Sequence, residues 1–576
     1  MRRRAHAIRR EEIEVSGTRI AGWVCRIGVA SILWFGAGAG RAVPPVIPTA
    51  TELDIPYSAA NPPGPAFTAE EKRRQLVDGQ RIRGEIVAAC RAGRESYTIP
   101  PGDYRFDSAY RERKGDAFAL EELHGDPDRP FRILGHGATL WFSLTDQPAP
   151  HHHQMVKIFD CSHVTLEGVT VDSDPRGCMD ATVTAFDFEG NRIQVTPVAG
   201  TRLIASPPSR ENRFIPYKAN GRHIAARDHR WINCHFMARP GTNNLLGGDG
   251  TMSACMHGST FDGLVVQRTT DDCFNSHGHY RHAAGVTDCS ITFREELPPE
   301  LAPGHVAEAY ETRTDASLGR LTVERVAGRT VTFREPVGER FATAAVMFPA
   351  FQNAGWVIRN GIFSDCYQRV RLMCGPGTFE NNRVERIGGG LTVENGRAVD
   401  IEGGLPDGIV IRNNVFIDSG ISPPMNAISV VGRGVELRNV EVSGNLICGS
   451  GSEAVEANRT DGFIIRHNIV IDPARGQSLL PQRTAGGGPP AAVALTRARK
   501  AVVAGNVVVD GPAECGLIRE SACAGISQED NRSTMGRQRN LERVVRHLTG
   551  SHESSAAEII AKVRSELGVD RGPEQR

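Results

Sequence analysis

The 576-residue chain has no charge excess of either sign: 67 Lys and Arg stand against 67 Asp and Glu. A basic face for nucleic acid and an acidic interaction tail are both excluded as organising features. Aromatic residues are scarce, at 6%. Long apolar runs are missing beyond the first forty or so residues, so no later segment reads as a membrane span. The 13 Cys include no Cys-x-x-Cys pair, which argues against a structural zinc site. No metal and no cofactor are expected. Helix periodicity is rare. What remains is glycine, with 62 residues, and a hydrophobic fraction of 40% spread over the chain, enough for a continuous core. The neutral balance suits a neutral or mixed substrate.

The first 42 residues read as a signal peptide or N-terminal anchor. Arg2 to Arg4, Arg9, Arg10 and Arg19 precede an apolar run from Ile20 to Ala39, interrupted by Arg26, and small residues follow up to Ala42. That order fits export and cleavage, placing the mature chain outside the cell, in a periplasm or at a cell surface, with no membrane contact after cleavage. Cys25 falls in this segment and leaves twelve Cys. Most of those sit in strand-like runs, as Cys234, Cys289, Cys374 and Cys448 do, and read as buried thiols. Cys515 and Cys523 flank a short loop and are the best candidates for a disulfide.

Repeats fix the fold class. Five segments read apolar-x-x-Asn-x-apolar at one phase, with Asn382, Asn414, Asn445, Asn468 and Asn506 in the fourth place. Gly361 takes that place once; Cys234 and Cys289 fit more loosely. An inward Asn repeated at one phase makes a ladder in which each side-chain amide is satisfied by the next coil. The spacing varies, so turns absorb insertions, unlike leucine-rich or ankyrin arrays of fixed length. The pattern predicts an all-β chain: a right-handed parallel β-helix with two small inserted β modules and short terminal helices. A solenoid also removes the expectation of several domains at this length. The organisation expected is a linker and capping helix over 43–94, the β-helix over 95–527, insertions at about 181–204 and 298–347, and a helical tail over 528–576, either a cap or loose. Thr68 and Glu71 form a capping box before an apolar stripe of Leu76, Ile82, Ile86, Val87 and Cys90. Gly190-Asn191 and the Leu321–Phe333 segment mark hairpins in the two insertions.

Polar residues are densest between Gly247 and His282. Asp249, His257, Asp271, Asp272, Asn275 and His277 all fall there. Asp271-Asp272 follows the strand-like run Leu264 to Gln267, so one carboxylate should face the surface and the other turn inward. Glycoside hydrolysis needs two carboxyls, an acid for the leaving oxygen and a base or nucleophile. Stacked coils can supply both, because neighbouring strands lie about 4.8 Å apart. The second member is Asp249, Glu394 or Glu402. His257 and His277 can bond sugar hydroxyls or orient a carboxylate; Arg369 and Arg371 can clamp a hydroxyl or carboxylate. His151 to His153 cannot all face one ion from a strand, and Asp172 with Asp174 reads as a coil turn ahead of Ca²⁺ binding.

These motifs resemble the family 110 β-helix glycoside hydrolases, the α-1,3-galactosidases, from about residue 95 to 510. The resemblance lies in Val164-Thr-Leu-Glu-Gly-Val-Thr-Val-Asp172-Ser-Asp174-Pro, in Asp271-Asp272-Cys-Phe-Asn275-Ser-His277-Gly, in the stretch Arg369 to Asn382 ending Glu-Asn-Asn, and in Leu391-Thr-Val-Glu394. It implies a pectate-lyase-like solenoid, an oligosaccharide or polysaccharide partner, and catalytic roles for Asp271, Asp272 and Glu394. The family carries aromatic residues just after its Glu segment, where this chain has Gly396-Arg-Ala-Val-Asp-Ile-Glu402, so galactose specificity does not follow. Two other functions fit the same fold. A polysaccharide lyase or uronate epimerase needs a basic proton acceptor, for which Lys157 and Lys218 are the candidates. A non-catalytic surface β-helix needs only glycan binding.

Overall fold

The computed structural model describes residues 13–15, 18–20, 67–107, 118–143, 154–159, 161–173, 181–187, 192–197, 213–215, 226–236, 251–254, 256–269, 271–298, 300–420, 425–474, 491–509, 516–534, 538–550 and 554–567. Asp249, His151 to His153, Asp174, Lys218, Cys515 and nearly all of the N-terminal signal segment lie outside them.

The chain is a right-handed parallel β-helix. Among the described residues three long sheets run along it, two of twelve parallel strands and one of eleven that also carries the short antiparallel strand Glu402–Gly403, and successive coils add parallel strands to each. Their inward side chains form one core from Ile82 to Val508. Alternation along each short strand sends every second side chain into that core. In the sheet that matters below, Phe274, Val370, Leu391, Ile428 and Val455 stack inward in register.

The asparagine ladder is present and longer than the five expected rungs. Asn382 Nδ2 donates to Asn414 Oδ1 at 3.2 Å, and the pattern continues through Asn445, Asn468 and Asn506 at 3.0 Å. A sixth rung, Asn531, accepts from Asn506 at 2.9 Å. Each backbone N–H of a rung donates to the same acceptor, as Asn414 N does to Asn445 Oδ1 at 2.9 Å. The left-handed backbone belongs to the residue before each rung: Asn381, Asn413, Gly444, His467, Gly505 and Asp530 all have positive φ. The ladder Asn is therefore kept for its amide and not for its backbone freedom. Gly361, in the rung position, donates its N–H to Asn382 Oδ1 at 2.8 Å. Cys234 occupies the same corner and bonds Leu166 O. Cys289 does not: it is exposed in a hairpin of the inserted barrel.

That insertion is a closed six-stranded antiparallel barrel running from Arg281 to Met347. It has its own core, with Ile291, Leu321, Val331 and Phe341 among its members. It begins at Arg281 and not near Pro298, because Arg281–Val286 and Ser290–Phe293 are barrel strands whose alternating pattern looks like a coil's. The first insertion contains the antiparallel pair Ala181–Asp187 and Arg192–Pro197.

Helix α1 (Ala69–Arg91) starts at the Thr68–Glu71 capping box. It buries Ile82, Ile86 and Cys90 in the core beside Phe106, closing the N-terminal end. The C-terminal helices α2 (Gln538–Gly550) and α3 (Ala556–Leu567) are neither a loose tail nor an end cap. They lie along the outer face of one sheet, where Leu541, Val545, Ile559 and Val563 cover Val415, Ile417, Leu446, Ile469 and Val509. The coils run past 527, with strands Ser527–Glu529 and Arg532–Thr534. Cys523 is a free thiol that donates to Leu495 O, so the expected disulfide is not made; all nine described Cys are free, and seven are buried. No helix of the described residues is long and apolar enough to cross a membrane.

Candidate active site

Asp271 and Asp272 sit in the turn between strands Val265–Gln267 and Phe274–His279. Asp271 is half-exposed and accepts the Asp272 N–H on its Oδ1 at 3.1 Å. Asp272 is covered by Arg369 and only 3% exposed. The next coils bring strands Arg369–Leu372 and Gly390–Glu394 alongside, with Asn275, Arg371, Thr392 and Ser429 in one outward row.

The charged side chains of these coils form a single network. Arg369 Nε is 3.5 Å from Asp272 Oδ1, and its Nη2 is 3.3 Å from Glu394 Oε1. Arg371 Nε donates to the same Glu394 oxygen at 2.8 Å, and its Nη1 reaches Glu402 Oε2 at 3.3 Å. Arg433, from the following coil, donates to Glu394 Oε2 at 2.8 Å. Glu394 is wholly enclosed, at 0% exposure. Burial alone would raise its pKa, but the charges of Arg369, Arg371 and Arg433 hold it down to about 2. Asp272 goes the other way. Burial raises its pKa against the pull of Arg369 and Arg371, helped by the negative charges of Glu402 and Glu394. Its Oδ1 has no hydrogen-bond partner among the described residues.

Glu402 arrives from a different element. The segment after Glu394 folds back as a strap, and Glu402–Gly403 pairs antiparallel with Gly278–His279. Gly403 is required there, since a Cβ would stand 2.0 Å from the Tyr280 ring. Glu402 is 31% exposed. It accepts from Asn275 Nδ2 at 3.2 Å and faces His277 Nε2 at 3.9 Å. The barrel pins the strap. His282 Nε2 bonds Ala398 O at 3.0 Å, Asp315 Oδ1 accepts the Ala398 N–H at 2.7 Å, and Tyr280 Oη donates to Asn395 O at 3.0 Å. Tyr280, Tyr310, Met347 and Ala398 fill the joint.

The structure thus gathers Asp272, Asn275, His277, Arg369, Arg371, Glu394 and Glu402, with Asp271 at the rim. His257 stands elsewhere, at the corner between two sheets, where its backbone pairs with Arg227. Lys157 lies on strand Gln154–Phe159 of the same sheet. Sequence reasoning missed Arg433, the strap and its barrel contacts. Arg433 was readable only as a Gly-Arg-Gly turn one coil beyond Glu394-Asn-Gly-Arg. Among the described residues no group of three or more His, Cys, Asp or Glu is arranged to hold a metal.

No family model matches the chain, and no curated protein matches it. Solved structures similar to it include three β-helix proteins. One is the Azotobacter vinelandii mannuronan C-5 epimerase AlgE4 A-module, at 12% identity over 79% of this chain and 93% of that one, TM-score 0.36. Another is the periplasmic alginate epimerase AlgG, at 7% identity over 75% and 78%, TM-score 0.34. The third is the Agl-KA catalytic domain, at 10% identity over 86% and 69%, TM-score 0.35. Matches at these scores assign the chain to no family and no activity.

Proposed function

We propose that this chain is an exported glycoside hydrolase that cleaves a glycan by single displacement, with Asp272 as the proton donor and Glu402 as the base. The observation that carries the reading is two carboxyls in opposite surroundings, linked through Arg369, Glu394 and Arg371. Asp272 is enclosed and burial pushes its pKa up, so it holds its proton to higher pH than a free aspartate; Glu402 is open to water and ion-paired. Such divergence separates acid from base in glycosidases. Asp272 gives its proton to the glycosidic oxygen as the C1–O bond breaks. Glu402 takes a proton from the water whose oxygen bonds to C1, and solvent then restores both groups. Glu394 holds Arg369, Arg371 and Arg433 in place. The motif likeness to family 110 hydrolases supports the assignment of Asp272.

Glu402 enters opposite His279, and its side chain reaches back to Asn275, three residues on from Asp272. Inversion is the outcome expected.

The three arginines favour a second reading, a lyase or epimerase acting on uronates. Glu394, Asp272 and Glu402 stand against those charges, which weakens it. Incubating the full chain with neutral and uronic-acid oligosaccharides and analysing the products separates the two. New reducing ends support hydrolysis. An unsaturated product absorbing in the ultraviolet, or an inverted C5 with the chain intact, overturns it.

A further inference from the structure

The corner that holds Asp272 recurs along the sheet. In register, Asp272 is followed by Gln368, Gly389, Asn426 and Glu453, and the outward row three residues on runs Asn275, Arg371, Thr392, Ser429, Glu456. Four strands along, at about 19 Å for the usual strand spacing, Glu453 and Glu456 thus stand where Asp272 and Asn275 do. The side chains there are joined. Asn426 Nδ2 donates to Ser429 Oγ at 3.1 Å and to Glu456 Oε2 at 2.5 Å. Glu453 accepts from Arg519 Nη2 at 2.6 Å. Burial raises the pKa of Glu456, and the charge of Glu453 adds to it. Thr392 is 4% exposed and Asn426 8%. Among the described residues neither Thr392 Oγ1 nor Asn426 Oδ1 has a hydrogen-bond partner, and Glu456 accepts from Asn426 alone.

Buried polar atoms are normally paired, and an orphan on the outer face of a sheet calls for a partner from outside the chain. Here two orphans lie on adjacent strands, and Thr392 is the next step in the row after Arg371. We propose that Thr392, Asn426, Ser429 and Glu456 form a distal subsite, which binds the hydroxyls of a sugar residue several units along the glycan from the bond that Asp272 and Glu402 act on. Asn426 Oδ1 and Glu456 accept from those hydroxyls, while Thr392 Oγ1 gives or takes a hydrogen bond. The substrate is then a chain laid along the helix axis and not a disaccharide. Gly389, at the corner between the two clusters, brings no side chain into its path. This rests on the hydrolase reading and adds chain length to it.

The test uses the full chain and the Glu456→Gln and Thr392→Val variants. The probes are homologous series of linear neutral oligosaccharides, in gluco, galacto and manno configurations, from the disaccharide upward. In wild type kcat/KM should climb with chain length until the chain crosses the four strands. Each variant should lower the ratio of long-chain to disaccharide kcat/KM about tenfold, the scale of one lost hydrogen bond to a ligand. A merely structural defect would lower both and leave the ratio alone. Thr392→Val removes a hydroxyl that bonds none of the described residues, so urea unfolding should show no loss of stability. A flat chain-length profile in wild type, or an unchanged ratio in both variants, overturns the proposal. Titration calorimetry with the same series reads binding without turnover: affinity should rise with chain length in wild type and fall about tenfold on long chains in Glu456→Gln. Long chains bound in this way but never cleaved sink only the hydrolase reading, while affinity independent of chain length sinks the subsite.

Discussion

Arg371 Nε donates to Glu394 Oε1 at 2.8 Å while the other arm of the same guanidinium reaches Glu402 at 3.3 Å. One arginine thus couples a carboxylate that water never touches to one that it does. The enclosed partner sets the geometry of the open one.

Glu394→Gln leaves Arg369, Arg371 and Arg433 without the anion they share. A broken buried ion pair costs about 3 kcal/mol, and urea unfolding should show a loss of that order. Glu394 has a depressed folded-state pKa, so its contribution is present above the usual value of 4.5 and is lost as pH falls toward about 2. Between those limits the stability of wild type should fall more steeply than that of Glu394→Gln, which a pH series of unfolding curves checks.

Asp272 behaves oppositely because burial raises its folded-state pKa. It loses its proton later than a free aspartate, and stability declines as pH rises through that elevated value. Activity should share this alkaline limb. In a kcat/KM profile, the fall at high pH should report Asp272 deprotonation, and mild acid should preserve turnover.

His282 is raised by its hydrogen bond to Glu295, against burial and the nearby charge of Arg294. Its contribution is complete below 6.5 and disappears as pH climbs through the raised folded value. His282→Ala should free the strap, and hydrogen exchange should show faster loss of protection at Tyr280 and Gly404, whose N–H groups bond Ile401 O and Asn395 O. Protection identical to wild type would remove the barrel from the site.

Removing an inner rung of the ladder leaves several donors stranded. Asn445→Ala deprives Asn414 of the acceptor for both its backbone N–H and its Nδ2. A loss of about 3 kcal/mol is expected from such unmade buried bonds. Asn531→Ala, at the half-buried end, should cost less.

The ladder was legible because a solenoid repeats the same demand every coil, and an amide that answers it leaves a periodic trace. The site was legible only where it shares that repeat: Arg371 and Glu394 stand on stacked strands, and Asp272 in the turn that leads into another. Glu402 was one of three candidates for the second carboxyl, with nothing local to single it out, because no local signal tells that residues 396–403 turn back across Phe274–His279. That return depends on Gly403 against Tyr280 and on His282 and Asp315 reaching Ala398 from a barrel whose first strands mimic coil strands.

Turnover by Asp272→Asn and Glu402→Gln, on a natural oligosaccharide and on a matched substrate with an activated aryl leaving group, tests the assignment of acid and base most directly. Loss of general acid–base help costs about 10²- to 10⁴-fold. Both variants should lose that much on the natural substrate, and only Asp272→Asn should recover on the activated one, which needs no proton. Wild-type turnover in either variant, or recovery by Glu402→Gln alone, would contradict the pairing of Asp272 with Glu402.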